Sequence, residues 1–157
     1  MGGKPNILFL FADQFRADAL GAVSSYASTP HLDRLAEQGI LFNRAYCNSP
    51  ECVPSRFSFA LSQYPHQTGV WRNRPLTLNP ACLNWMQAIA GAGYRTSLFG
   101  KTHLHPHNGD LREREAFMRE LGLDDVDEIP GPEGEHDLPE PHDGELAEER
   151  SVGVVPA

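Results

Sequence analysis

The sequence predicts an α/β fold with a mostly parallel sheet, and three observations carry that prediction. Residues 6–12, NILFLFA, form a continuous apolar run of strand length, the pattern of a central strand covered on both faces. Thr29-Pro30 and Asn79-Pro80 are N-cap and N1 pairs, each opening an amphipathic stretch that ends in glycine. Residues 94–99 form another strand, and both strands run directly into polar residues: Asp13-Gln14 after the first, Gly100-Lys101-Thr102-His103 after the second. Open α/β sheets place their ligands at that end of their strands.

The remaining elements follow in order. The helix from Pro30 carries Leu32, Leu35 and Ala36 on one face and stops at Gly39. Residues 40–45 read as a short strand leading through a polar loop, with Cys47 expected to pack there. Pro54 suits a first helical turn, so Cys52 falls at or just before a helix N-terminus, and a turn-like YPHQTG at 64–69 closes that helix. The helix from Asn79-Pro80 presents Leu83, Met86, Ile89 and Ala90 and ends at Gly91 and Gly93, with Trp85 and Met86 expected in the core. Residues 113–121 make a last short amphipathic helix. From about Asp124 an acidic, proline-punctuated run begins, too poor in apolar residues to offset its ordering entropy, and disorder is expected. The organisation expected is thus one region at 1–123 and a tail at 124–157.

Bulk composition narrows the function classes. Residues 1–123 carry 12 Lys and Arg against 9 Asp and Glu, whereas residues 124–157 carry 1 against 12. The net charge of −8 is therefore a property of the tail. No basic stripe with interleaved aromatics points to nucleic acid. The 3 cysteines do not make a disulfide framework and fit a reducing compartment. The run at 6–12 is too short for a signal-peptide core or a membrane span. No membrane association and a cytoplasmic location are expected.

Chemistry concentrates at Cys52 and Lys101. A helix N-terminus gathers unpaired N–H groups and the positive end of the dipole, which favours anions and an ionised thiol. Arg56, about one turn on, can direct its guanidinium at the same place. Lys101 and His103, two apart in extended backbone, project to one side. Lysine would neutralise an anion there, and histidine would hydrogen-bond it or handle protons. The alternation continues through His105 and His107, which raises a transition-metal site as a rival; a solvated polar loop explains them more cheaply. Asn73, 21 residues after Cys52, is either a pocket amide or a loop asparagine.

Cys52-Val53-Pro54-Ser55-Arg56, followed by Tyr64-Pro65-His66-Gln67-Thr68-Gly69, resembles the signature of the type I sulfatases of the alkaline phosphatase superfamily. Thr29-Pro30-His31-Leu32 and Gly100-Lys101-Thr102-His103 resemble two further elements of that family, and the resemblance covers roughly residues 4–123. It departs in three places: His31 stands for the common Asn, Leu61-Ser62 for Thr-Gly, and Asp13-Gln14 for an acidic pair. The last pattern resembles the choline-sulfatase-like and phosphonate monoester hydrolase branches.

The resemblance implies a partial three-layer α/β/α sandwich, alkaline-phosphatase-like and truncated. It also implies hydrolysis of a small-molecule sulfate ester through a formylglycine hydrate, made from Cys52 by a formylglycine-generating enzyme. Asp13, Gln14 and Cys52 would ligate a divalent cation, Ca2+ first, with Mn2+ or Mg2+ as alternatives. Arg56, Lys101 and His103 would be catalytic, and Asn73 would hold a non-bridging ester oxygen. The family's later metal ligands have no counterpart after His107, so the chain alone is expected to turn over little substrate. The alternatives are a phosphonate monoester or phosphodiester hydrolase of the same superfamily and a non-enzymatic fragment.

Overall fold

The computed structural model describes residues 3–107 and 110–129. They belong to two compact units, residues 1–46 and 47–157. No helix among the described residues is long and apolar enough to cross a membrane.

In the first unit, α1 (Pro30–Gln38) starts with Pro30 at N1 and ends at Gly39, as its sequence pattern predicts. The hydroxyl of Thr29 does not cap the helix. Its Oγ1 accepts from Gly21 N–H at 2.8 Å and donates to Asp33 Oδ1 at 2.7 Å, and Asp33 Oδ1 also accepts from Ala22 N–H at 2.8 Å. The first turn of α1 is thereby fastened to the loop at 21–22.

The strands predicted at 6–12 and 40–45 are not formed. Leu8 and Ile40 are 83% and 82% exposed, and no strand among the described residues pairs with either run. An apolar sequence becomes a strand only when neighbours satisfy its backbone and cover its faces. The stripe of α1 is likewise uncovered, with Leu32 and Leu35 both exposed.

The second unit holds the core. α2 (Cys52–Leu61) turns Val53, Phe57, Ala60 and Leu61 inward, against Val70, Leu78, Met86, Leu104, Met118, Leu121 and Leu123. Cys82 is part of that core, whereas Cys47 is exposed rather than packed. Ser62 ends α2 at φ 55°, ψ 37°, in the left-handed region where glycine is the usual residue. The short α3 (Pro65–Thr68) is closed by Gly69 at φ 72°.

Helix α4 (Trp85–Gly91) begins five residues later than Asn79-Pro80 predicts. Asn79 instead makes a tight turn, its Oδ1 accepting from Ala81 N–H at 2.9 Å. Asn84 is the true cap: its Oδ1 accepts from Gln87 N–H at 2.9 Å, and Gln87 Oε1 accepts from Asn84 N–H at 3.3 Å. That reciprocal pair satisfies two orphan donors and fixes the start. Trp85 packs against the core edge-to-face with Phe59, 5.4 Å between ring centroids.

Strand β1 (Ser97–Phe99) occupies the end of the predicted run, and β2 (Asp125–Asp127) lies parallel to it, with Leu98 opposite Val126. Between them a 3-10 turn (Leu111–Arg114) leads into α5 (Glu115–Glu120), giving a compact βαβ unit. The ladder extends one step further, Gly100 N–H donating to Asp127 O at 2.9 Å and Ile129 N–H to Gly100 O at 3.4 Å. Gly122, at φ 91°, ends the crossover against α4. A Cβ there would sit 2.7 Å from Gln87 N and Cα.

The parallel pair and its flanking helices realise part of the predicted α/β architecture. Strand β2 also corrects the expected boundary at residue 123, since residues 124–129 are structured and contribute ladder hydrogen bonds. The rest of the expected tail, residues 130–157, lies outside the described residues.

Candidate active site at the start of helix α2

The site is built where α2 begins and β1 ends. Cys52 is the first residue of α2, with Glu51 as its extended N-cap (φ −111°, ψ 148°). Pro54 removes one backbone donor from the first turn, so that turn has fewer N–H groups to satisfy. Val53 N–H donates to Asn73 Oδ1 at 2.9 Å, and Asn73 N–H donates to Glu51 Oε2 at 2.9 Å. Asn73 is therefore a cap supplied from a distant loop. Its carbonyl is engaged by the helix, and of its side chain only the NH2 group is left to face a ligand.

Arg56 and Lys101 bring the positive charge. Arg56 is buried at 7% exposure, and its Nη1 donates to the Lys101 carbonyl oxygen at 2.6 Å. A buried guanidinium needs such an acceptor to offset its lost hydration. Lys101 Nζ in turn donates to Cys52 Sγ at 3.8 Å. One turn of helix and one post-strand loop thus bring the Lys101 ammonium to the Cys52 thiol and tie the Arg56 guanidinium to the Lys101 backbone. Such a cluster can hold an anion against a nucleophilic position.

His103 departs from the predicted geometry. The backbone is not extended there: His103 has φ 54°, which breaks the alternation expected to align it with Lys101. Its N–H donates to His107 Nε2 at 3.2 Å, and the two rings lie 4.7 Å apart.

His105 and His107 correct the expectation of a solvated loop. Their side chains are 1% and 3% exposed, and both face Glu128, itself 2% exposed. His105 Nε2 lies 2.6 Å from Glu128 Oε2, His107 Nε2 lies 2.8 Å from Oε1, and Thr102 Oγ1 donates to the same carboxylate. Burial, the largest influence, pushes the Glu128 carboxyl up, but the hydrogen bonds from His105, His107 and Thr102 together hold it down at about 2. Burial lowers His105 most strongly, yet the Glu128 hydrogen bond and the Pro106 carbonyl outweigh it and raise its pKa. Glu128 escaped the sequence argument because it sits in an acidic run. The signal was Val126, an apolar residue alternating with acids at strand period.

Asp13 and Gln14, in the first unit, form an exposed turn with Gln14 at φ 54°. Left-handed backbone at a long side chain is uncommon. Their carboxylate and amide oxygens are the donor type that hard divalent cations take, so the residues fit the expected group.

Comparison with known proteins identifies the family. A family model described as Sulfatase matches residues 5–149. The chain belongs to the sulfatase family. It is 40% identical over 109 residues to an N-acetylgalactosamine-6-O-sulfatase of Bacteroides thetaiotaomicron, covering 64% of this chain and 21% of that protein. It is 39% identical over 105 residues to an ulvan-active sulfatase of Formosa agariphila, covering 66% and 20%. Among solved structures, the phosphonate monoester hydrolase of Agrobacterium radiobacter superposes with a TM-score of 0.60 at 29% identity, over 76% of this chain and 25% of that one. The chain spans about a fifth of the length of the sulfatases it matches.

Proposed function

We propose that the chain forms the nucleophile-bearing part of a sulfuric ester hydrolase acting on a small-molecule sulfate ester. The observation that carries this reading is the 3.8 Å contact of Lys101 Nζ with Cys52 Sγ, beside an Arg56 anchored to the Lys101 carbonyl. In this reading Cys52 is the nucleophile position, oxidised to formylglycine by a formylglycine-generating enzyme. Lys101 and Arg56 neutralise the non-bridging oxygens, where charge grows in the transition state. The Asn73 NH2 group steadies one of those oxygens, and His103 exchanges a proton with the leaving alcohol. Asp13 and Gln14 offer the carboxylate and amide oxygens that would hold a divalent cation, calcium first, which would supply Lewis-acid charge when bound. With one carboxylate between them, their grip alone is weak, so the isolated chain turns over little or no ester.

The test uses the 157-residue chain expressed with and without a formylglycine-generating enzyme. Peptide mass at Cys52 reports conversion, and titration with inorganic sulfate reports the anion site. Conversion, together with sulfate affinity that falls at least tenfold in Lys101→Ala, is expected. An unconverted Cys52 with sulfate affinity indifferent to Lys101→Ala and Arg56→Lys would overturn the reading. The Asp13-Gln14 pair supports an Asp-Gln branch within the family. A phosphonate monoester hydrolase remains the second reading because of the structural similarity, and paired assays on aryl sulfate and aryl phosphonate separate the two.

A further inference from the structure

We propose that His105, His107 and Glu128 form a second metal site, separate from the ester chemistry, that takes a borderline divalent ion of the zinc type. The donor atoms of the three side chains lie within 4.8 Å of one another. Two of these residues come from the loop after β1 and the third from the end of β2, so one ion would join both strand ends.

Geometry and burial converge on one enclosed space. His105 Nδ1 donates to the Pro106 carbonyl at 2.9 Å, which orients its Nε2 toward Glu128 Oε2 at 2.6 Å. His107 Nε2 lies 2.8 Å from Glu128 Oε1, and the two imidazole rings stand with centroids 5.2 Å apart. All three side chains are 3% exposed or less. Two imidazole nitrogens and a carboxylate thus meet where water is excluded, and a divalent ion there would replace the contacts they make with one another.

The surroundings match those of metal ligands. Histidine ligands commonly donate their other N–H to a backbone carbonyl, and ligating carboxylates are themselves hydrogen-bonded. Here the Pro106 carbonyl and Thr102 Oγ1 fill those places. Two nitrogens and one oxygen suit zinc better than calcium, which takes six or more oxygens. Metal–ligand bonds of ~2.1 Å require the donors to spread by less than about 1 Å. His107 Nε2 would then exchange its hydrogen bond from His103 N–H for the metal. Occupancy therefore bears on the backbone of His103.

The experiment is to strip the full chain with chelator, titrate it with Zn2+ alone, and measure retained zinc after desalting. One zinc per chain is expected in the wild type and in Cys52→Ala, with affinity falling at least a hundredfold in His105→Gln and in Glu128→Gln. Circular dichroism of each variant reports whether it folds. Cobalt substitution of the wild type needs no variant: a visible spectrum of nitrogen and oxygen ligation is expected. A strong thiolate charge-transfer band, retention of less than stoichiometric zinc, or zinc held equally by folded His105→Gln would each overturn the proposal.

Discussion

Asn73→Ala isolates what a remote cap contributes to the start of α2. The substitution removes the Oδ1 that accepts from Val53 N–H at 2.9 Å, leaving the N2 donor of the helix to water. Loss of a helix cap costs about 1 kcal/mol, and the partial exposure of this bond keeps the cost near that centre. For a domain of this size about 1 kcal/mol corresponds to a fall of roughly 4 °C in Tm. Asn73→Asp retains the acceptor. Its charge gains from the helix N-terminus and loses against Glu51, and the balance stays within about 0.5 kcal/mol of wild type. Thermal unfolding followed by circular dichroism reads both variants. The capping argument fails if Asn73→Ala melts like wild type, or if Asn73→Asp loses as much as Asn73→Ala. Sulfate titration of the same pair separates stability from binding: Asn73→Asp should bind sulfate more weakly while remaining folded, because the NH2 donors are gone.

Ser62→Gly relieves a left-handed serine at the end of α2 and should stabilise the chain by about 0.5–1 kcal/mol, seen as a higher denaturant midpoint. Gly122→Ala combines positive φ with a Cβ 2.7 Å from the Gln87 backbone, and a loss of about 2–4 kcal/mol is expected from chemical denaturation. Asp125 is held at about 2, chiefly by its hydrogen bond from Arg95, with Ser97 next. A carboxyl whose pKa is lowered by folding contributes above its ordinary pKa of 3.8 and loses that contribution as pH falls toward 2. The Tm difference between wild type and Asp125→Asn should therefore be constant above pH about 5 and vanish near pH about 2. A difference unchanged over that window would refute the assignment.

The parts of the fold legible in the sequence were those fixed locally. Pro30 and Gly39 bound α1, and Pro54 set the first turn of α2, because backbone restriction acts whatever surrounds it. Cys52 and Arg56 were readable together because about one helical turn separates them, whereas Lys101, read beside His103, joined them only through the family resemblance. The run at 6–12 misled because strand formation depends on neighbours that hydropathy cannot report. Asn79 and Asn84 are equivalent caps by composition, and only Gln87 at the third helical position distinguishes them. Glu128 was hidden because a charge inside an acidic stretch reads as solvated until two histidines from another element are known to meet it.

The partners of Cys52 and Arg56 arrive late in synthesis. Lys101 follows Cys52 by 49 residues, so at ribosomal rates of ~5–20 residues per second the thiol spends roughly 2–10 s on a nascent chain before its ammonium neighbour exists. Until Asn73 is made, 21 residues after Cys52, the helix also lacks its cap, and until residue 101 is made it lacks the carbonyl that anchors Arg56. A modifying enzyme that acted on an extended segment would meet Cys52 in that form first. Afterwards it would have to compete with a helix whose last fastening is the bond from Arg56 to the Lys101 carbonyl.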